Sequence, residues 1–194
     1  MTAPDVSPES PSPSDASALK PAGFWIRFGA YLVDALIFLP ISIAVGLLVS
    51  DPNQATIVEV AVFLIAALYK PLMEAHWGAT LGKMALGLKV RAGDGGRVGL
   101  TAAFVRRLLE IVPGVVFLVY SYQMRMAGAE TADPERAMEI FQAHLNLLLF
   151  GAGLYVVTLV AYIVVAFNPR KRGLHDMLAD TIVVDKESLP TEVR

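Results

Sequence analysis

The 194-residue chain has no cysteine. Disulfides, thiolate metal sites and cysteine nucleophiles are therefore excluded. Charge is also scarce: Asp, Glu, Lys and Arg make up 18% of the residues, whereas soluble domains carry roughly a quarter. The net charge is −2, so there is no basic excess to hold a phosphate backbone, and no nucleic-acid partner is expected. Histidine occurs three times, at His76, His144 and His175, and never in a His-Glu-x-x-His run. No metal centre follows from that spacing. No nucleophile–base pair stands out either, so no enzymatic activity and no cofactor are expected.

Apolar residues are abundant, at 55% of the chain, and they are concentrated in blocks. Each block approaches the about 20 residues that a membrane-spanning helix needs. The expected spans are 28–49, 55–72, 108–124 and 145–167. The fourth is uncharged over its whole length. The third is weaker, with Glu110 near its start and Pro113-Gly114 inside it, so a buried soluble helix competes with a crossing there. Asp133 followed by Pro134 and Glu135 signals a helix start. A helix from there through the fourth span would measure about 50 Å at 1.5 Å per residue and would project beyond the hydrocarbon core.

Residues 1–22 hold Pro4, Pro8, Pro11, Pro13 and Pro21 among many serines. With almost no large apolar side chain, this segment reads as a disordered cytoplasmic tail. It lacks the basic start and short apolar core of a secretory signal. Residues 186–194 read as a second, frayed tail.

Loop charge orients the spans, because lysine and arginine gather on the cytoplasmic side. Lys20 and Arg27 precede the first span, and residues 50–54 carry no basic residue. Lys83, Lys89, Arg91, Arg97, Arg106 and Arg107 follow the second span. Arg125 and Arg136 lie among four carboxylates before the fourth, and Arg170, Lys171 and Arg172 follow it. Four crossings with both termini inside fit every loop. A third span that failed to cross would put the Arg170–Arg172 cluster outside. The expected setting is the inner cell membrane, with the lipid bilayer as partner.

The inner loop contains its own structure. Residues 86–91 and 98–100 flank Ala92-Gly93-Asp94-Gly95-Gly96, which predicts a β-hairpin. The β-branched run at 180–185 could add a strand. Gly78-Ala-Thr-Leu-Gly82-Lys83 has three residues between its glycines and Met84 after its lysine. A phosphate-binding loop needs four residues and a Ser or Thr, so a turn near the headgroups is the better reading.

Charges inside a bilayer cost several kcal/mol and usually have partners. Asp34 is the clearest case. It lies seven residues after Arg27, on the same helix face but about 10 Å along the axis. Arg106 or Arg107 is the more plausible partner for it. Glu110, three residues after Arg107 and four after Arg106, can pair within its own helix. Glu59 sits about one turn inside the outer end of the second span.

Three stretches resemble the RDD family of membrane proteins. They are Gly23-Phe-Trp-Ile-Arg27-Phe-Gly-Ala30-Tyr-Leu-Val-Asp34, then Thr80-Leu-Gly82-Lys83-Met-Ala-Leu-Gly87 with Asp94-Gly95-Gly96, and Arg172-Gly173-Leu174-His175-Asp176 through Ala179-Asp180-Thr181. The resemblance spans residues 23–185. Carried over, the name-giving residues are Arg27, Asp34 and Asp176. The chain departs from the pattern at Asp180, where glycine is expected, and in a long outer loop before the fourth span. The resemblance implies a multi-pass helical fold and suggests transport, with cation/proton exchange among relatives. Two functions follow as expectations. One is a small cation or proton transporter using Asp34, with Arg27 and Asp176 as a gate. The other is a scaffold or assembly partner in which Arg27, Asp34 and Asp176 form a structural lock, acting as a homo-oligomer or with another membrane protein.

Overall fold

The computed structural model describes residues 19–49, 51–128 and 133–189. The tail up to residue 18, Ser50, residues 129–132 and the last five residues lie outside that description. Four long helices dominate: α1 (Phe24–Leu48), α2 (Pro52–Trp77), α4 (Leu100–Met126) and α5 (Pro134–Phe167). Two five-residue helices, α3 (Leu81–Ala85) and α6 (Leu174–Leu178), each precede a strand, β1 (Leu88–Ala92) or β2 (Thr181–Asp185). A single 3-10 turn, Lys186–Ser188, follows.

Segments Phe24–Ile41, Asn53–Trp77 and Pro134–Phe167 are long and apolar enough to cross a membrane. Helix α4 has comparable length but more charge. Asp51 caps α2 by accepting from the Gln54 amide, and Asp133 caps α5 by accepting from the Glu135 amide. At 34 residues α5 is about 51 Å long, longer than a hydrocarbon core.

Packing is inverted relative to a soluble protein. Leu36, Leu47, Leu64, Phe117, Phe150 and Phe167 all face outward. The apolar core of Ala22, Ala30, Leu88, Val90, Val98, Ala103 and Val183 sits at one end of the bundle, beneath the sheet. At that end α1 and α4 begin, and α2 and α5 finish. Gly78 after α2 accepts from the Val90 amide, and Arg27 and Arg106 both reach Asp176 after α5.

The predicted hairpin does not form. Strand β1 pairs antiparallel with β2, from Leu88 opposite Asp185 to Ala92 opposite Thr181. The glycine-rich turn instead leads to Val98, which is buried, and Leu100, which opens α4. A strand of residues 98–100 would remove Val98 from the core, whereas Thr181–Asp185 offers a full β-branched partner. Pro21 makes an isolated bridge to Val184, and the Ala22 amide donates to the Val183 carbonyl. Residues 20–22 therefore lie along the sheet, while Leu189 at the other terminus is buried. Asp180 adopts φ 44°, the left-handed region that favours glycine. The departure from the family pattern thus falls where glycine would relieve backbone strain.

The long helices α1, α2 and α4 run through their prolines. Pro40, Pro71 and Pro113 lie inside α1, α2 and α4. Helix α2 runs on past Pro71 to Trp77, and α4 starts eight residues before the expected 108. Proline removes the bond to the carbonyl four residues back, which for Pro113 is Leu109. The Thr158 hydroxyl on α5 donates to that Leu109 carbonyl. Its own Leu154 carbonyl is also in reach at 3.0 Å, but the Leu109 oxygen is the one without an intrahelical N–H. A neighbouring helix thereby satisfies the group that proline frees, as membrane interiors require.

Thr158→Val should leave the Leu109 oxygen unpaired and lower stability by about 1–3 kcal/mol. Thr158→Ser should retain most of it. Thermal unfolding of both variants in the same detergent checks this; equal loss in both would rule out the hydroxyl's role.

Candidate functional site

The site is a set of buried charges at the sheet end of the bundle. Asp34, about three turns into α1, is 4% exposed. Its Oδ1 accepts from the Gly82 amide at 2.7 Å and from the Tyr69 hydroxyl at 3.1 Å, and its Oδ2 from the Thr80 hydroxyl at 2.6 Å. Thr80 is also the N-cap of α3. Gly82 is required by close approach: a Cβ there would stand 2.1 Å from the Ala30 carbonyl oxygen and 2.9 Å from the Asp34 carboxyl carbon. The inner-loop motif is thus built to seat α3 on Asp34. Among the described residues Asp34 has no ion pair, so the expected partnership with Arg106 or Arg107 does not form. Those arginines start inside α4, and nearer carboxylates take them.

Glu74 is the nearest of these, fully buried at the end of α2. It pairs with Lys83 from α3 and Arg107 from α4 through the same oxygen, and its other oxygen lies 3.7 Å from Arg106. Asp176, at the third position of α6, takes Arg27 at 2.5 Å and Arg106 at 2.7 Å, and accepts from the Gly173 amide at 3.1 Å. Arg27 also donates to the carbonyls of Ala22 at 3.0 Å and Lys171 at 2.5 Å. It therefore binds the chain before α1 to the chain after α5. Glu110 takes Arg107 at 2.5 Å, Lys70 at 2.7 Å and the hydroxyl of Tyr162. The intrahelical spacing is realised with Arg107 rather than Arg106. The result is one chain of contacts: Arg27, Asp176, Arg106, Glu74, Arg107, Glu110, Lys70, with Lys83 branching at Glu74.

Outside the helical bundle proper, burial raises the Asp176 carboxyl, but Arg106 outweighs it, and the group is held well below its usual range. Burial lowers the His175 imidazole to about 4, against the opposing pull of Asp176. His175 stacks on Tyr162 with ring centroids 4.5 Å apart. Glu59 belongs to another site at the opposite end of the bundle, where Arg125 and the Ser121 hydroxyl hold it. Among the described residues no group of three or more His, Asp or Glu side chains could hold a metal.

The structure joins Arg27 and Asp176 directly and places Asp34 beside them without a bond. Sequence reasoning missed Glu74 as a hub and Lys83 as its partner. Glu74 fell beyond the end of the second span, assigned at residue 72. The signal was the uninterrupted helical pattern up to Gly78, which puts Glu74 four residues after Lys70, on one face.

Removing one partner of a buried ion pair costs about 3–5 kcal/mol, because it strands the others. Glu74→Gln would leave Lys83, Arg106 and Arg107 facing one another. It should destabilise the protein far more than Glu59→Gln at the partly exposed far end. Thermal unfolding of the two variants is the measurement, and similar losses would remove Glu74 from its central position.

The RDD family model matches residues 21–180. The "Uncharacterized protein YckC" of Bacillus subtilis (strain 168) is 30% identical, over 84% of this chain and 84% of its own. The "Uncharacterized membrane protein YteJ" of the same organism is 26% identical, over 86% of this chain and 82% of its own. The "Uncharacterized protein YxaI", also from that organism, is 28% identical, over 86% and 99%. No solved structure matches. The matched region begins beside the Pro21 bridge and ends at Asp180, so it encloses the whole charge network: the chain is a membrane protein of the RDD family.

Proposed function

We propose that this is a four-span inner-membrane protein with both termini cytoplasmic, in which Arg27, Asp34 and Asp176 belong to a structural charge lock, and that it serves as a non-catalytic scaffold or assembly partner. The direct pairing of these residues across the bundle supports this reading best. Asp34 is held by three neutral donors, and Arg27, Arg106 and Asp176 hold one another. A gate would need contacts that exchange partners easily, whereas these tie four helices and the sheet together. The lock is a multi-pass arrangement because the basic loops and the sheet share one end of the bundle. The helix faces offer the bilayer, or a second membrane protein, an almost wholly apolar surface.

A cation/proton transporter working through Asp34 is the second reading. One observation favours it: Asp34 lines a small cavity together with Lys83 and His175. The cavity is about 30 Å³, room for roughly one water molecule. A solute larger than an ion would have to pass between subunits.

Two experiments test these readings. The chain has no cysteine, so single introduced cysteines report topology directly. Asn53→Cys and Gly128→Cys should react with a membrane-impermeant maleimide on intact spheroplasts, and Arg97→Cys and Lys186→Cys only after permeabilisation. Labelling of Gly128→Cys solely from inside would mean that α4 does not cross. For function, wild type and Asp34→Asn are reconstituted into liposomes enclosing a pH dye and pulsed with Na⁺, K⁺ or Li⁺. The lock reading expects no cation-dependent proton movement in either and a lowered Tm in the variant. Proton movement lost in a variant that folds normally would decide for exchange.

A further inference from the structure

The charge network does not balance. Five cations meet there, Arg27, Lys70, Lys83, Arg106 and Arg107, and all five line the 30 Å³ cavity. Four carboxylates face them: Asp34 in the cavity wall, and Glu74, Glu110 and Asp176 through direct ion pairs. His175, the remaining titratable wall residue besides tyrosine, is kept neutral near pH 7 by burial. One positive charge is therefore in excess in a region where Arg106 is 2% exposed and Arg107 6%. Uncompensated charge in such surroundings costs several kcal/mol.

Unused donors lie in the same place. Arg106 Nε and Nη1 and Arg107 Nε are buried with no hydrogen-bond partner among the described residues, as is the carboxylate oxygen Glu74 Oε2. Both arginine side chains line the cavity. Arg106 Nη1 has an ion-pair contact with Glu74 at 3.7 Å, too long for a hydrogen bond. Asp34, the one carboxylate in the wall, has both oxygens engaged by neutral hydrogen-bond donors and makes no direct pair with these arginines among the described residues.

We infer that this cavity is a binding site for one small inorganic anion of chloride size, held by Arg106 and Arg107 and neutralising the excess charge of the lock. The size suits a monatomic ion and excludes phosphate-bearing ligands, since the space is that of about one water. Without an anion, the cluster can shed its excess only by releasing a proton. Lys83 is the group that would do so: burial draws it down to about 7, with Arg107 and Arg106 adding to the effect and Glu74 opposing it. This site stands whether or not the protein moves ions, because it follows from the geometry of the lock.

The test uses the full-length protein in lipid nanodiscs at pH 6 and constant ionic strength, with gluconate exchanged for chloride. The Tm should rise and saturate with chloride, by about 2–4 °C once the site fills. The ³⁵Cl NMR line should broaden, and bromide should reverse the broadening by competition. Lys83→Gln removes the excess charge without touching the arginines. It should weaken the chloride midpoint at least tenfold, while Arg125→Gln at the far end leaves it unchanged. A Tm and a line width indifferent to chloride would mean that the cavity holds water alone and would overturn the site. Chloride dependence that persists unaltered in folded Lys83→Gln would place the ion elsewhere. Should Lys83→Gln fail to fold, specific bromide competition in the wild type, with a 1:1 stoichiometry, still decides.

Discussion

The structure depends on Glu74. Its carboxylate is fully buried and faces Lys83, Arg106 and Arg107. Through these it joins the end of α2 to α3 and to the first turns of α4. Arg106 carries the connection on to Asp176 and so to the segment after α5, and Arg27 closes it back onto the start of α1. Every helix end on this side of the bundle is therefore fixed by one electrostatic chain. Such a chain is costly to bury and still more costly to break. It specifies one arrangement, because any other would leave charges unpaired.

The membrane explains why the lock is needed. Within a bilayer, apolar burial gives helices little reason to associate, since lipid tails are as apolar as leucine. The exposed Leu, Ile, Val and Phe side chains of α1, α2 and α5 satisfy the bilayer but do not select partners. Selection comes from polar contacts at the two ends and from a few interior ones. Glu59 with Arg125 ties α2 to α4 at the far end. The Thr158 hydroxyl with the Leu109 carbonyl joins α5 to α4 at the proline. The small sheet adds a compact apolar core where water replaces lipid and hydrophobic burial works again.

The three motif stretches acquire separate tasks in this frame. The opening stretch presents Arg27 to Asp176 and Asp34 to α3. The inner-loop stretch supplies the donors Thr80 and Gly82 and the cation Lys83. The closing stretch folds into α6 to place Asp176 between two arginines. Arg27 and Asp34, though seven residues apart on one helix face, serve different partners, because each lies beside a different inner segment. Their joint occurrence reflects a shared end of the bundle and not a mutual bond.

Much was legible in the chain alone. Long apolar runs determine membrane helices, because a helix satisfies every backbone polar group within one continuous segment. The Asp133-Pro134-Glu135 start of α5 was readable from cap chemistry, which is local. So was the pairing of Arg107 with Glu110, three residues apart on a helix. The strand at 180–185 was readable as an addition to the sheet, but not that it takes the place of residues 98–100 beside β1, since that is settled across some ninety residues by which strand can leave Val98 in the core. Nor was the passage of α4 through Pro113, because there a neighbouring helix makes good the lost bond. The partners of Asp34 and Glu74 were equally hidden. Sequence determines that intramembrane charges must be answered. Only the tertiary structure decides which group answers, because that is set by proximity between segments far apart in the chain.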